Sequence, residues 1–124
     1  MPAKDDALFK ISKFEQHDGL VGATLEIDKD CDVFTGHFPG QPVVPGACML
    51  QIVKEVQEIA LGTPLRLKKA EYLKFITMIN PENTPSVEMD ITYKVVSEGH
   101  IRVTAKLTNG AVVYFKFQGT FIPE

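Results

Sequence analysis

One histidine of this chain lies in a sequence context suited to acid–base chemistry. His37 belongs to a segment, residues 36–46, that reads Gly-His-Phe-Pro-Gly-Gln-Pro-Val-Val-Pro-Gly and that we call the proline loop. Because proline fixes φ and glycine allows close approach of other groups, this loop should be rigid and closely packed. An imidazole held in a stiff loop beside the start of a helix is well placed to remove or deliver a proton near neutral pH.

A helix is predicted directly after the proline loop. Pro45-Gly46 is a start signal and Gly62-Thr-Pro is a stop signal, so the helix should run from residue 46 to about residue 61. Apolar residues recur on one broad face, as expected for a helix lying across a sheet; they are Met49, Val53, Val56 and Ala60, widened by Cys48, Ile52 and Ile59. The polar side chains gather on the opposite arc, namely Gln51, Lys54, Glu55 and Glu58.

Most of the remaining chain has strand patterns. These predict short strands before the helix, at residues 8–14, 20–27 and 33–34, and longer ones after it, at 65–79, 87–95, 101–107 and 111–122. Asn109-Gly110 is a strong signal for a hairpin turn. One helix with two consecutive antiparallel hairpins behind it predicts an α+β fold, with the sheet wrapped on the helix, as a single domain over residues 1–124. The open edges of such a sheet favour a dimer that pairs two subunits edge to edge.

Composition excludes several classes of function. The chain has 124 residues, of which 44% are hydrophobic and 23% charged, which is typical of one globular domain. A net charge of −3 gives no reason to expect nucleic acid or an anionic membrane as partner. Cys31 and Cys48 are too few for a disulfide framework, and no metal-ligand spacing or phosphate loop is present, so we expect no cofactor. The acidic start of the chain lacks a signal-peptide core and no apolar run approaches the roughly 18 residues of a membrane span, so we expect a cytoplasmic protein.

The proline loop and the order of elements resemble the hot-dog-fold 3-hydroxyacyl-[acyl-carrier-protein] dehydratases of fatty-acid synthesis. The resemblance is tightest over residues 36–46, and the piece Glu-Tyr-Leu-Lys-Phe at 71–75 also looks like the strand after the helix in those enzymes. It implies a hot-dog fold, in which an antiparallel sheet wraps around one central helix. It also implies removal of water from a 3-hydroxyacyl thioester to give the trans-2-enoyl thioester, with the acyl group carried on acyl carrier protein or coenzyme A.

The resemblance assigns roles to individual residues. His37 would take the C2 proton and assist loss of the C3 hydroxyl, and the N–H of Gly46 would hydrogen-bond the thioester carbonyl. A helix start is suited to that task because its N–H groups and partial positive charge stabilise a developing enolate. The flanking positions are predicted to contact the substrate, and they are Phe38, Val43, Pro45 and Ala47.

One position departs from the family pattern. The family carries a catalytic Glu or Asp five residues after the last glycine of the loop, where this chain has Gln51, and Glu55 stands one turn later where the family usually has Gln. Glutamine can hydrogen-bond a hydroxyl but cannot deliver a carboxylic proton. Glu55 is therefore a candidate for a relocated acid, although residues on the polar arc of a helix are more often solvated surface.

Three interpretations of this departure stay open at the level of sequence. Glu55 replaces the acid with a shifted substrate pose, or His37 works alone with water as a slow dehydratase or an acyl thioesterase. Alternatively, the chain is a non-catalytic or half-site subunit of a heteromeric dehydratase, and a second hot-dog chain supplies the carboxylate. The intact His37 loop argues against a retired subunit, which has no chemical need for the base.

The other candidate residues are weaker. Arg66, Lys68, Lys69 and Lys74 form a basic cluster in an acidic chain and are predicted to dock an acidic carrier protein, unless they are simply the solvent face of a strand. Cys48 is expected to be a small buried residue and not a nucleophile, because no histidine is placed to activate it. His17 and His100 fall in predicted turns and are expected at the surface.

Overall fold

The structure is a computed structural model that describes residues 7–34 and 43–124. His37 and Phe38 of the proline loop lie outside the described residues. The main elements in chain order are β1 (Phe9–His17), β2 (Leu20–Ile27), α1 (Gly46–Leu61), β3 (Leu65–Phe75), β4 (Ser86–Val95), β5 (Ile101–Asn109) and β6 (Val112–Pro123). Short 3₁₀ turns stand at Asp32–Phe34 and Ser97–Gly99.

The strands form one antiparallel six-stranded sheet in the order β1-β2-β4-β5-β6-β3. The buried side of α1 belongs to the same hydrophobic core as one face of the sheet, which we call the inner face. The opposite side is the outer face. The prediction of an antiparallel sheet around one central helix is confirmed, and it leaves β1 and β3 as the two edge strands.

Alternation along the strands places the core. Alternate residues of β2, β5 and the first part of β4 are buried on the inner face, as the sequence pattern predicts, while the residues between them point to the outer face. At the end of β4 the pattern fails, since Tyr93 is half-buried and Val95 is 55% exposed. The largest fully buried side chains of β6 are aromatic and share the same parity, namely Phe115, Phe117 and Phe121. Asn109 pairs with Val112 across a two-residue turn, which confirms the predicted hairpin.

Two strand predictions differ from the structure. Val33 and Phe34 do not form a strand, because the N–H of Phe34 bonds the carbonyl of Cys31 three residues earlier and closes a 3₁₀ turn. The strand after α1 ends at residue 75 and not at 79. The N–H groups of residues 76 and 77 both reach the Tyr114 carbonyl, at 2.8 and 3.3 Å, which ends the regular ladder there.

The end of β3 is packed against the start of α1. The N–H of Val44 donates to the carbonyl of Ile79 at 2.9 Å, which ties the two segments together. The Phe75 ring lies so close to Gly46 that a Cβ built there would stand 2.7 and 2.8 Å from two ring carbons. The same ring stacks on Phe115, with centroids 5.0 Å apart. Glycine at the first helical position is therefore required by close approach of an aromatic ring, and not by backbone conformation.

The buried side of α1 differs from the predicted apolar stripe at two positions. Ile59 is 54% exposed, although its apolar character placed it at the margin of the stripe. Gln57 is fully buried instead, and neither its side-chain nitrogen nor its oxygen has a hydrogen-bond partner among the described residues. A buried amide without partners costs roughly 1–3 kcal/mol relative to an apolar group of similar shape. Gln57 is therefore the clearest destabilising feature of the helix.

Replacing this amide should stabilise the protein. We expect Gln57→Met, which keeps the side-chain length, to raise the free energy of unfolding by about 1–3 kcal/mol in urea titrations. Gln51→Met, at an exposed position of the same helix, is the matched control and should change it by less than about 0.5 kcal/mol. A loss of stability in Gln57→Met would mean that the amide has a partner, such as a buried water molecule.

Substitution of Gly46 tests the contact between α1 and β3. Gly46→Ala should lower the free energy of unfolding by about 1–3 kcal/mol, because the new methyl group must push the Phe75 ring off its stack with Phe115. Gly22→Ala is the control, since a Cβ there meets nothing within 4 Å. Adding Phe75→Leu to Gly46→Ala should recover part of the loss. Equal stability of the two single alanine variants would show that the ring moves without cost.

Candidate active site

The start of α1 presents free backbone donors. Pro45 precedes the helix with φ −63° and ψ 144° and provides no side-chain cap. Its carbonyl accepts from the N–H groups of Cys48 and Met49, at 3.0 and 3.3 Å. Within the described part of the chain, the N–H groups of Gly46 and Ala47 have no acceptor. Two free donors at the positive end of a helix dipole form a place where negative charge on an oxygen is stabilised.

The predicted catalytic positions on α1 lie on one exposed face. Ala47, Gln51, Glu55 and Ile59 follow one another at intervals of four residues and are all exposed; we call them the exposed row. Gln51 and Glu55 are therefore neighbours, separated by about 6 Å of helix rise. Neither side chain has a hydrogen bond or ion pair to another described residue. Both are free to contact a substrate or a partner chain.

The pKa of the Glu55 carboxyl is shifted in the direction that favours its protonated form. Although part of the side chain reaches solvent, burial of the rest raises its pKa above the ordinary value, repulsion from Glu58 adds to the rise, and Lys54 opposes it. A raised pKa increases the protonated fraction near neutral pH, which is the direction that a general acid requires. Gln51 lacks a titrating group, so it can only donate or accept a hydrogen bond.

Glu58 has a structural role, unlike Glu55. Its carboxylate accepts a hydrogen bond from the N–H of Leu65 at 2.7 Å and lies 4.0 Å from the ammonium of Lys54. Its carbonyl accepts from Gly62, which adopts the left-handed conformation that ends the helix. The polar arc predicted for α1 thus contains two kinds of residue: Lys54 and Glu58 pair with each other, whereas Gln51 and Glu55 have no partner in the described ranges.

Only some of the loop positions predicted to contact substrate belong to the described residues. Val43 and Pro45 are half-buried and Ala47 is exposed, all at the start of α1, whereas the loop residues before them lie outside the described ranges. Their contact with substrate stays a prediction. Phe75, which sequence reasoning missed, forms a half-exposed aromatic wall beside Gly46. The available signal was a glycine at a helix start where φ needs none, which indicates close approach of another group.

The other predicted positions lie away from the exposed row or do not favour its chemistry. Burial raises the pKa of the Cys48 thiol, and Cys31 and Glu55 raise it further, so the reactive thiolate is disfavoured. His17 is exposed, as expected. His100 is half-buried, with its Nε2 3.3 Å from the Lys68 ammonium.

The four basic residues predicted to dock a carrier do not share one setting. All are exposed, but only three of them pair with outer-face residues of β6: Arg66, Lys69 and Lys74. Lys68 falls at an irregularity of the β3–β6 register, where it contacts His100. Carrier docking by this group stays a prediction. In the described residues, no helix is long and apolar enough to cross a membrane, and no group of His, Cys, Asp or Glu has the arrangement of a metal site.

Comparison with known proteins identifies the family. The chain is 28% identical over 78 residues to the 3-hydroxyacyl-[acyl-carrier-protein] dehydratase FabZ of Haemophilus influenzae, a match that covers 60% of this chain. The chain spans about half the length of that relative, 51%. The match supports the resemblance that the proline loop carries.

Solved structures show the fold. The dehydratase heterocomplex ApeI:P from Xenorhabdus doucetiae superposes with a TM-score of 0.74 at 19% identity, covering 92% of this chain and 97% of that one. A hypothetical thioesterase with coenzyme A from Streptococcus pneumoniae superposes with a TM-score of 0.67 at 10% identity, covering 94% and 85%. The fold is a hot-dog fold, as the resemblance implies. A family model described as ApeI-like, ApeI dehydratase, matches residues 12–116, and the chain therefore belongs to the ApeI-like dehydratase family.

Proposed function

We propose that this protein dehydrates a 3-hydroxyacyl thioester, carried on an acyl carrier protein, to the trans-2-enoyl thioester. The observation that carries the proposal is the uncapped start of α1, where the N–H groups of Gly46 and Ala47 have no acceptor in the described chain. The family match and the dehydratase relative support the same reaction class. The thioester carbonyl accepts from Gly46, which places its α-carbon beside the proline loop.

The chemistry begins with the C2 proton. His37 takes this proton through a neutral ring nitrogen, and the electron pair of the C–H bond moves onto the thioester oxygen. That negative charge is stabilised by the helix start, since preorganised N–H donors need no reorientation during the reaction. The electron pair then forms the C2–C3 double bond as the C3–O bond breaks. The leaving hydroxyl takes up a proton and departs as water.

Glu55 is the proposed source of the proton for the leaving group. It is the carboxyl in the exposed row of α1, it has no other partner among the described residues, and its pKa is raised. Gln51, one turn nearer the helix start, is proposed to hydrogen-bond the C3 hydroxyl and orient it. Substitution of glutamine for the family carboxylate thereby separates orientation of the hydroxyl from its protonation.

Two other functions have an observation in their favour. A half-site subunit is favoured by Gln51 at the position of the family acid, and the structural neighbour from Xenorhabdus doucetiae is described as a heterocomplex. An acyl thioesterase is favoured by the thioesterase neighbour with coenzyme A, which shares the fold. A thioesterase needs an attacking water, for which His37 or Glu55 would be the base, and it yields a free acid and a thiol.

The proposed active form is a dimer that pairs its β3 strands. β3 is an edge strand of 11 residues, and one side of its backbone has no partner strand in the sheet. Its end and the following segment expose large apolar side chains, up to 75% for Met78; they are Tyr72, Leu73, Phe75, Ile76 and Met78. A long apolar edge strand invites aggregation unless another chain covers it. A second copy paired here also brings its own α1 towards the site at Gly46.

Charged residues on this edge should separate the subunits. We expect Leu73→Lys combined with Met78→Lys to convert the dimer into a monomer by light scattering, because each lysine would have to be buried in the apolar contact. Leu20→Lys combined with Val95→Lys, at exposed apolar positions of β2 and β4 away from β3, should leave the dimer intact. A wild-type protein that is monomeric at micromolar concentration would contradict the proposed dimer.

Turnover of a 3-hydroxyacyl thioester tests the reaction itself. Enoyl formation is followed by absorbance and free thiol in parallel, for wild type, His37→Ala, Gln51→Glu and Glu55→Gln. We expect enoyl product without thiol release, a loss of about 10²–10⁴-fold in kcat/KM for His37→Ala, and a loss of at least about tenfold for Glu55→Gln. His17→Ala is the control for removal of an exposed histidine and should keep full activity.

The same assay separates the alternatives. Thiol release without enoyl product would identify a thioesterase. An inert wild type with dehydration gained in Gln51→Glu would identify a half-site subunit that awaits a carboxylate from another chain. Full activity in His37→Ala would contradict the proposed base in either case.

A further inference from the structure

Three lysines lie side by side on the outer face of the sheet. Lys74 of β3 is directly opposite Lys116 of β6, and Lys116 is directly opposite Lys106 of β5. All three are exposed. Directly opposed residues of neighbouring strands have their Cβ atoms about 5 Å apart. We call these three residues the lysine row.

The lysine row is poorly compensated within the chain. Like charges directly opposite each other destabilise a sheet. The acidic residue directly opposite the row is Asp90, beside Lys106 at its far end, and Glu15 lies in the same register two strands further on; none of the three lysines forms a salt bridge with a described residue. The arrangement therefore costs folding stability, and an anion bound from outside would relieve the repulsion.

Basic residues dominate this half of the sheet. Strands β3, β5 and β6 carry seven lysine and arginine residues and one acidic residue, Glu71, although the whole chain has a net charge of −3. Glu71 is engaged with Arg102, at 3.6 Å. The positive charge is thus concentrated on one part of the molecule, which favours encounter with an acidic partner.

A groove accompanies the lysine row. It has a volume of about 510 Å³ and is lined by Lys106, Lys116 and, at the end away from β3, Asp90, together with uncharged polar groups. The uncharged groups form a second row that is also in register, two residues along each strand from Asp90 and the lysine row. They are Thr92, Thr104, Gln118 and Tyr72. Cations beside hydroxyl and amide groups are suited to carboxylates distributed over a protein surface. The spread over three strands, about 10 Å, is wider than one phosphate group requires.

The lysine row and the candidate active site lie on opposite faces of the same part of the sheet. Lys74 and Phe75 are consecutive in β3, and Lys116 follows Phe115 in β6, so each lysine points outward where its aromatic neighbour points inward. The two rings stack on each other, and that of Phe75 contacts Gly46. Lys74 is therefore one residue away from a side chain that contacts Gly46.

We propose that Lys74, Lys116 and Lys106 dock an acidic carrier protein, whose thioester-bearing arm delivers the acyl group to Gly46. The proposal rests on the proposed function, in that it names the surface that receives the carrier. It keeps Lys74 of the predicted basic cluster but leaves out Arg66, Lys68 and Lys69, because the docking centre moves to the end of β3 and onto strands β6 and β5.

Kinetics with matched substrates test the docking. The same 3-hydroxyacyl group is offered on the acidic carrier protein, on coenzyme A and on N-acetylcysteamine, to wild type and to Lys106→Glu combined with Lys116→Glu. We expect KM for the carrier substrate to rise on the order of tenfold, with the N-acetylcysteamine and coenzyme A substrates unchanged. The control is Lys13→Glu combined with Lys29→Glu, which changes the net charge equally at exposed positions elsewhere. An equal loss in the control, or no loss in the test variant, overturns the proposal. So does an equal loss with coenzyme A, which would mean that the row binds phosphate.

Two measurements that need no turnover keep docking separate from catalysis. The apo-carrier has no arm. Its binding should weaken on the order of tenfold in the variant that combines Lys106→Glu with Lys116→Glu, even if the protein is not a dehydratase. Unchanged apo-carrier binding overturns the proposal, whereas absence of turnover with every substrate overturns only the proposed function. Lys116→Glu alone should raise the unfolding temperature while weakening binding, since it places a carboxylate between two lysines. A variant that weakens binding only because it unfolds would show the opposite thermal shift.

Discussion

The contact between the end of β3 and the start of α1 is the constraint on which the candidate site depends. A hydrogen bond from Val44 to Ile79 and the packing of Phe75 on Gly46 hold the first turn of the helix against the sheet. Without these two contacts the first turn of the helix would fray, because no side-chain cap bonds its N–H groups and holds them in place. The same absence of a cap leaves those N–H groups available to a substrate oxygen. Stability at this point is therefore supplied by packing from the side, which does not occupy the donors.

The packing around α1 also leaves exposed the side chains that the proposed dimer would cover. One side of the helix is covered by the inner face of the sheet, while Ala47, Gln51, Glu55 and Ile59 remain exposed on another. Ile59 of α1 and Met78 after β3 expose apolar surface to water, which is unfavourable in free energy. The proposed pairing of a second copy along β3 would reduce that cost, and would bring the polar members of the exposed row towards the second chain.

Much of the fold could be predicted from sequence because it depends on local periodicity. The bounds of α1, the burial parity of β2, β5 and the first part of β4, and the hairpin turn after Asn109 all follow from spacing and turn chemistry. What escaped prediction depends on contacts between distant segments. Nothing near Phe75 in sequence indicates that its ring stands over Gly46, and the apolar pattern of α1 favours burial of Ile59 over Gln57. The pairing of three lysines likewise requires the register of three strands, two of which carry a single lysine each.

The position of the carboxyl on α1 constrains how the site is assembled. With a rise of about 1.5 Å per residue, Gln51 stands about 7.5 Å along the helix from Gly46, and Glu55 about 13.5 Å. In a 3-hydroxyacyl thioester only two bonds separate the carbonyl carbon from the carbon that bears the hydroxyl. A substrate whose carbonyl is held at Gly46 therefore places its hydroxyl far short of Glu55 on the same helix. The carboxyl can reach the hydroxyl if it comes from the helix of a second subunit that runs past the first. In this chain the glutamate lies one helical turn later than the carboxylate of the family pattern. Dehydration by Glu55 therefore requires a dimer in which the partner helix is shifted by about one turn, relative to a dimer whose carboxyl stands at position 51.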